Sequence, residues 1–298
     1  MSKEKIIARG YHKFFNINER IETQLKNLTD ENIKFPLLVF EKANGYLGLL
    51  SAYKNSSGEI VPWISSKTSI SGEHAEHFSK MIKPFLTVEV LQKILSLNIT
   101  LLFEVIDPLF DPHIEEYPKP ELVLLNGVYN EIEFRLLDDD NTNNLLEILN
   151  GAIDSEKIEK IRKKKLITTI NSQKELLEFI NEVNKVKPFE KENYIEGYVF
   201  QEDTLNSPFM FKLKTDWYKY WKYMRSITDR FITKVLRVDE NTSRSNLVLL
   251  KANLYTYEHH KYVNWLIERK NSFKEDEYKY SIIEYRKKFF KEKLREEL

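Results

Sequence analysis

Charged side chains stand at four places in the sequence where the surrounding residues are those of buried strands. They are Lys42 after the run 36–41, Glu104 within 99–106, Glu196 within 194–200, and Lys212 with Lys214 within 209–214. A charge on a buried strand costs free energy unless it is paired, binds a metal ion or has a function. Lys42 leaves its strand at a tight turn, where its amine is well placed to act as a nucleophile.

Each of these features also has a simpler explanation when it is considered alone. Asn44-Gly45 is a strong hairpin signal, so Lys42 could merely precede a turn. A single glutamate on a strand is more often part of a salt bridge, and the alternation of Lys212 and Lys214 is typical of a solvated sheet face. The order of the four segments along the chain is what favours a common site.

The pattern of residues around these charges predicts the elements that must position them. From residue 35 to 65 the sequence predicts an antiparallel meander with Lys42 at its first bend. The polar loop 66–69 follows directly, and the return of the hairpin could bring its Lys67 beside Lys42. Further strands are predicted at 6–8, 99–106, 122–128, 131–137, 194–200 and 209–214. Helices are predicted at 21–28, 72–85 and 87–97, and between 144 and 182, where the basic run 162–165 lies.

The residues that follow Asp216 lack the alternation of strands and predict a helical C-terminal region. We therefore expect an α+β domain over residues 1–215 and a small all-helical domain over 216–298. The aromatic side chains at the start of this region could stack on bases, and the packing of one helix face against the α+β domain is the simpler interpretation.

Composition excludes several classes of function. The 298 residues contain 46 basic and 46 acidic side chains and no cysteine, which rules out disulfides, thiolate zinc sites and cysteine nucleophiles. The balanced charge argues against a protein that coats nucleic acid, although a local basic groove remains compatible with it. No apolar stretch approaches the roughly 20 residues of a membrane span, and no signal peptide is evident. We expect a cytoplasmic protein that does not associate with membranes.

The ordered set of charged segments resembles the motifs of the covalent nucleotidyltransferases, which include ATP-dependent ligases and mRNA capping enzymes. More narrowly, it is similar to the RNA ligase family shared by phage RNA ligase 1 and the ligase domain of fungal tRNA ligases. The segments that carry the resemblance are Lys42–Gly45, Phe103-Glu104, Glu196–Val199, Lys212–Lys214, Arg9-Gly10 with Lys13–Asn16, and Ser66–Ser69. Asn44 replaces the aspartate of DNA ligases. The resemblance covers residues 6–216, and the helical tail resembles no module that we can name.

The resemblance implies a fold and a reaction. The fold is an α+β nucleotidyltransferase (ATP-grasp-like ligase) domain, with antiparallel sheets flanked by helices around a groove for ATP. In the reaction, the Lys42 amine attacks the α-phosphate of ATP and releases pyrophosphate. The AMP then passes to an RNA 5′-phosphate, and an RNA 3′-hydroxyl displaces it.

The resemblance also implies roles for individual residues. The catalytic residues would be Lys42, Lys212, Lys214 and Glu196. The residues that bind ATP would be Arg9, Lys13, Phe14, Glu41, Lys42, Asn44, Gly45, Lys67, Glu104, Glu196, Lys212 and Lys214. Glu104 and Glu196 would hold Mg²⁺, with Mn²⁺ as an alternative ion. Arg9 and Lys13 would clamp the β- and γ-phosphates, Glu41 would contact the adenine edge, and Phe14 would pack near the nucleotide.

The expected partner is RNA with 5′-phosphate and 3′-hydroxyl ends, with tRNA as a candidate. No kinase or phosphoesterase motif occurs, so separate proteins would prepare the ends, and we expect a monomer. Two alternatives remain at this stage. One is a capping-type guanylyltransferase or a nucleotidyltransferase with another acceptor; the lack of a further C-terminal motif disfavours it. The other is a non-catalytic RNA-binding protein on a ligase scaffold; the intact set of charged residues argues against it.

Overall fold

The computed structural model describes residues 5–153, 158–186, 194–270, 284–285 and 287–294. The chain divides into two compact units. The first comprises Met1–Asp107, Tyr117–Lys185 and Ile195–Lys214, and the second comprises Pro108–Glu116, Val186–Tyr194 and Thr215–Leu298. The main division therefore falls one residue from the predicted boundary, with two short segments assigned to the second unit. Independent folding of the two parts stays a prediction.

The first unit is built on two five-stranded sheets. The strands are β1 (Phe15–Asn16), β2 (Leu37–Lys42), β3 (Tyr46–Lys54), β4 (Ile60–Ser66), β5 (Ile99–Ile106), β6 (Glu121–Tyr129), β7 (Arg162–Lys163), β8 (Leu166–Ile170), β9 (Gly197–Glu202) and β10 (Met210–Lys214). The first sheet has the order β1-β10-β9-β2-β8 and the second β4-β3-β5-β6-β7. Both sheets are mainly antiparallel, with the short edge strands β1 and β7 paired in parallel.

The side chains of β2 alternate between two faces of the sheet, of which one packs in the apolar core. Leu37 and Val39 are fully buried in an apolar cluster with Leu176 and Ile180, which lie on the amphipathic helix α4 (Gln173–Lys185). Each fully buried side chain of this kind contributes about 1.5–3 kcal/mol. The intervening residues point to the opposite face. Lys42 therefore belongs to the face of the sheet that does not pack on α4.

The second sheet packs its own apolar face on three helices. They are α1 (Glu73–Ile82), α2 (Val88–Leu97) and α3 (Asp139–Gly151). Phe78, Ile94, Phe103 and Leu145 are among the fully buried members of this core. The Thr87 hydroxyl caps α2 by accepting from the backbone of Val90, as N-cap threonines do. This packing fixes β5, the strand that carries Glu104.

The regular elements that the structure describes in the second unit are helices. Its helices include α5 (Asp216–Phe231), α6 (Glu240–Ala252) and α7 (Tyr257–Glu268). Trp217 and Trp221 of α5 are buried in one cluster with Tyr262 and Trp265 of α7. Trp217 and Trp221 therefore belong to the core of the second unit itself, and their packing against the α+β domain stays a prediction. No helix in the described residues is long and apolar enough to cross a membrane.

The α+β fold class is confirmed, and the differences from the sequence prediction are local. The predicted helix 21–28 is a pair of 3₁₀ turns, Ile21–Thr23 and Leu25–Asn27. The predicted strands 6–8 and 131–137 are not regular strands. Part of the region predicted as helical forms β7 and β8, because β2 offers an edge to which Leu166–Ile170 can pair.

Candidate active site

Lys42 and Lys214 share the carboxylate of Glu196. Lys42 Nζ lies 2.9 Å from Glu196 Oε2, and Lys214 Nζ lies 2.8 Å from Glu196 Oε1. The strand register brings the three together, because β9 lies between β2 and β10 with Gly197 opposite both lysines. Glu196 is the residue directly before Gly197 and is 3% exposed. Lysines 172 residues apart in sequence thus meet at one buried anion.

The two lysines determine the charge of Glu196. Burial alone would raise the pKa of this carboxyl group, but the ammonium groups of Lys42 and Lys214 outweigh that effect and hold the pKa below its ordinary value. Glu196 is therefore ionised at neutral pH. The negative charge holds the Lys42 amine in one place at the end of β2.

Gly45 and Gly197 permit the close approach of neighbouring backbone at this point. A Cβ on Gly45 would lie 2.2 Å from the Val105 carbonyl oxygen, and one on Gly197 would lie 2.0 Å from that of Leu213. Gly45 N–H also donates to Glu104 Oε1 at 2.8 Å. The turn after Lys42 is therefore fastened to β5 through the carboxylate that the sequence singled out.

A cavity of about 830 Å³ lies between the inner faces of the two sheets. This size is within the range of ligand pockets, roughly 300–1,000 Å³. The predicted residues that line it are Lys13, Phe14, Glu41, Lys42, Gly45, Lys67, Glu104 and Lys212. Asn44, Glu196 and Lys214 are not in its lining but adjoin residues that are. Five lysines line the cavity, so it suits an anionic ligand such as a nucleoside triphosphate.

The lysines of the cavity influence one another. The pKa of the half-buried Lys212 lies below its ordinary value because of burial and because of the positive charges of Lys42 and Lys214, while Glu19 and Glu196 oppose the shift. Lys212 Nζ lies 5.3 Å from the ring centroid of Phe14. Phe14 therefore orders a cation at the cavity wall in addition to presenting an apolar surface.

Two residues of the predicted ATP site are placed differently from the prediction. Arg9 is not part of the cavity lining; its guanidinium donates to the carbonyls of Glu131, Ile132 and Glu133. Glu41 contributes to the cavity lining, but its carboxylate pairs with Lys165 at 3.1 Å, and strand alternation turns its side chain away from the face of Lys42. A phosphate clamp by Arg9 and a base contact by Glu41 stay predictions, and this geometry favours neither.

The two carboxylates that were predicted to bind Mg²⁺, those of Glu104 and Glu196, have different surroundings. Within the described ranges, no group of three or more His, Asp and Glu side chains is gathered to hold a metal ion. Both oxygens of Glu196 accept from lysines, whereas Glu104 lines the cavity. Mg²⁺ is commonly held by one or two carboxylates together with substrate phosphates. This geometry fits Glu104 as a ligand and does not favour Glu196.

Sequence reasoning missed Lys164, another residue of the cavity wall. Its amine donates to Asn126 Oδ1 at 2.8 Å and to Gln201 Oε1 at 3.1 Å. Lys164 is part of the basic run 162–165, which reads as a solvated segment. No local signal distinguishes it, because its partners lie 38 and 37 residues away.

A model of the RNA ligase family matches residues 1–220 of the chain. The protein belongs to the RNA ligase family. The resemblance predicted from its ordered motifs is thereby confirmed, and the match includes the whole set of charged segments. A search of curated proteins found no match.

Comparison with solved structures finds chains that are similar to this RNA ligase family member. An archaeal ATP-dependent RNA ligase is 13% identical, with 90% of this chain and 64% of that chain covered and a TM-score of 0.51. A putative ATP-dependent DNA ligase from Aquifex aeolicus is 17% identical, with 95% and 68% covered and a TM-score of 0.47. A Naegleria gruberi RNA ligase variant with ATP and Mn is 17% identical, with 65% and 54% covered and a TM-score of 0.44. The chain spans about two thirds of the length of the first two.

Proposed function

We propose that the protein is an ATP-dependent RNA ligase that joins an RNA 5′-phosphate to a 3′-hydroxyl through a covalent Lys42–AMP. The observation that carries the proposal is the position of Lys42. Its amine lies at the wall of a lysine-lined cavity, held by a buried carboxylate that a second lysine shares. Membership of the RNA ligase family supports the same reaction.

In the first step, the Lys42 nitrogen forms a bond to the α-phosphorus of ATP, and the bond to the pyrophosphate oxygen breaks. The amine must lose a proton before it attacks. The positive charges of Lys212 and Lys214 favour that loss, whereas the carboxylate of Glu196, 2.9 Å from the amine, opposes it. Lys13, Lys67 and Lys212 line the cavity and would stabilise negative charge on the phosphate oxygens. Mg²⁺, when bound at Glu104, would neutralise further phosphate charge.

In the later steps, an oxygen of the RNA 5′-phosphate displaces Lys42 from the AMP phosphorus. The 3′-hydroxyl of the other RNA end then attacks the activated phosphate and releases AMP. Glu196 can pair with the Lys42 ammonium again once its nitrogen is free. The same carboxylate therefore holds the nucleophile before the reaction and receives it afterwards.

The predicted biological setting follows from this chemistry. We propose structured RNA, with tRNA as the first candidate, as the substrate in repair or splicing. Enzymes in separate proteins would prepare its 5′-phosphate and 3′-hydroxyl ends. A monomeric state and a cytoplasmic location are parts of the same proposal.

Incubation with ATP labelled at the α-phosphate and Mg²⁺, followed by a denaturing gel, tests the covalent step. We expect a labelled band for the wild-type protein and none for Lys42→Ala, because no other side chain provides the nucleophile. Lys163→Ala is the matched control and should retain the label, since Lys163 pairs with Asp139 at 3.0 Å and is outside the cavity lining.

The remaining outcomes separate the alternatives. Label that persists in Lys42→Ala, or no label in the wild type, contradicts the mechanism. Labelling by GTP but not by ATP would favour a capping-type enzyme. Circularisation of a 5′-phosphorylated RNA, compared with the equivalent DNA, would distinguish an RNA ligase from a DNA ligase.

A further inference from the structure

The register of β2, β9 and β10 orders the cavity face into three rows that lead away from Lys42. The rows are Lys42–Gly197–Lys214, Phe40–Val199–Lys212 and Leu38–Gln201–Met210. Strands rise about 3.3 Å per residue, so the third row lies roughly 13 Å along β2 from the first. The first row carries the reactive amine. The next two rows carry the apolar side chains of Phe40, Val199, Leu38 and Met210, with Lys212 and Gln201 as their polar members.

Lys164 lies over the two rows that are further from Lys42. Its Nζ is 3.8 Å from the ring centroid of Phe40 and 3.1 Å from Gln201 Oε1. Asn126 Oδ1, which accepts from Lys164, also accepts from the Tyr11 hydroxyl at 2.5 Å. Lys164, Phe40, Tyr11 and Val199 all belong to the cavity lining. A fixed amine is thus built into the end of the cavity away from the nucleophile.

Structural stability does not account for this amine. Lys164 makes no salt bridge with any residue that the structure describes, and burial lowers the pKa of its ammonium group to about 7. A charge that is partly desolvated without a carboxylate partner costs free energy. An ammonium group has three N–H donors, and Asn126 and Gln201 take two of them. The third has no hydrogen-bond partner among the residues that the structure describes, and the amine lies 3.8 Å from the ring centroid of Phe40 at the cavity wall.

The position of the amine determines which part of a nucleotide it can meet. An α-phosphate at Lys42 places the base further along the cavity, beyond the ribose. There, Val199 offers an apolar side chain for one flat face of a base, and the amine of Lys164 lies over the ring of Phe40. In its protonated form the Lys164 amine only donates hydrogen bonds, so that form cannot pair with the exocyclic amino group of adenine. It can donate to a ring nitrogen.

We propose that Lys164 is the base-recognising residue of the nucleotide site and donates a hydrogen bond to a ring nitrogen of the adenine. Asn126 and Gln201 are positioning residues that hold the amine over Phe40. This inference rests on the proposed function, because it concerns the nucleotide whose α-phosphate Lys42 attacks.

The test measures how covalent labelling depends on the concentration of ATP and of its 1-, 3- and 7-deaza analogues, each lacking one ring nitrogen. With the wild type, we expect one analogue to need a concentration about 10- to 100-fold higher than ATP for half-maximal labelling, as the loss of a hydrogen bond to a charged group implies. Lys164→Met should raise the concentration needed for ATP by a similar factor. It should also remove the difference between ATP and that analogue, since the two changes delete one interaction.

Lys163→Met is the matched control and should behave as the wild type does. If Lys164→Met responds to ATP as the wild type does, or if the wild type accepts all three analogues as well as ATP, the inference is overturned. The wild-type analogue series decides this even if Lys164→Met does not fold. A wild-type protein that takes no label from ATP would instead overturn the proposed function itself.

Discussion

At the scale of single residues, the carboxylate of Glu196 holds the proposed nucleophile, Lys42, in place. Glu196 is buried between two ammonium groups, and its pKa is lower in the folded than in the unfolded protein. The folded state therefore binds fewer protons than the unfolded state near pH 4.5. The stability that this carboxylate contributes is present above its ordinary pKa of 4.5 and is lost as the pH falls through the lower folded value.

Glu196→Gln should show this dependence directly. At pH 7, we expect the free energy of unfolding to fall by about 3 kcal/mol, because removing one member of a buried ion pair leaves the other charges uncompensated. The difference from the wild type should shrink as the pH drops below 4.5 toward the lower pKa of the folded state, where the carboxylate of the folded wild type becomes protonated. Denaturant unfolding measured from pH 7 to pH 3 checks both statements.

Glu182→Gln provides the control for this experiment. Glu182 pairs with Lys185 on the exposed surface of α4, where both side chains are 69% accessible, so its loss should cost less than about 1 kcal/mol. A difference between Glu196→Gln and the wild type that stays constant over the whole pH range would contradict the assigned charge state of Glu196.

The sequence singles out the charged residues of the candidate site but not their partners. Lys42, Glu104, Glu196, Lys212 and Lys214 stand out because a charge within an apolar run is visible locally. Lys164 does not stand out, because only the pairing of distant strands brings Asn126 and Gln201 to it. Arg9 shows the reverse case, since its neighbours suggested a phosphate contact whereas its guanidinium binds backbone carbonyls.

At the scale of secondary structure, the site depends on strands that approach one another without an intervening side chain. Gly197→Ala would place a methyl group 2.0 Å from the Leu213 carbonyl oxygen, which forces β9 and β10 apart. We expect covalent labelling to fall at least about 100-fold, because Glu196 would no longer reach both lysines. The free energy of unfolding should fall by about 1–3 kcal/mol, as overpacking typically costs.

Gly151→Ala is the control for this substitution. Gly151 ends α3, and a Cβ there would meet nothing within 4 Å, so labelling and stability should stay close to the wild type. Gel quantification of label and denaturant unfolding of both variants check the prediction. Equal labelling by Gly197→Ala and the wild type would show that strand spacing does not set the geometry of the lysine pair.

Strand prediction succeeded where the pattern was local and failed where pairing decided the outcome. Runs such as Ile99–Ile106 are apolar enough to read as buried strands without any knowledge of their neighbours. Leu166–Ile170 has exposed and half-exposed side chains along most of its length. It becomes a strand because it pairs with the free edge of β2. The residues of β2 that decide this pairing lie far earlier in the chain.

At the scale of the whole molecule, the remaining question is whether the two units are separate domains, as the sequence predicted. Each has its own apolar cluster: that of the second unit centres on Tyr262 and Trp265, which are 2% and 1% exposed. Trp265→Ala removes the larger side chain and should destabilise the second unit by about 3–5 kcal/mol. If the units are independent, denaturant unfolding should show two transitions, of which only one shifts.

Covalent labelling gives the second readout of this prediction. Every described residue that lines the cavity belongs to the first unit, so Trp265→Ala should still accept label from ATP at denaturant concentrations that unfold the second unit. Phe103→Ala is the matched variant in the core of the first unit and should shift the other transition, together with the loss of label. A single transition for both variants, with label lost in parallel, would show that the two units unfold as one.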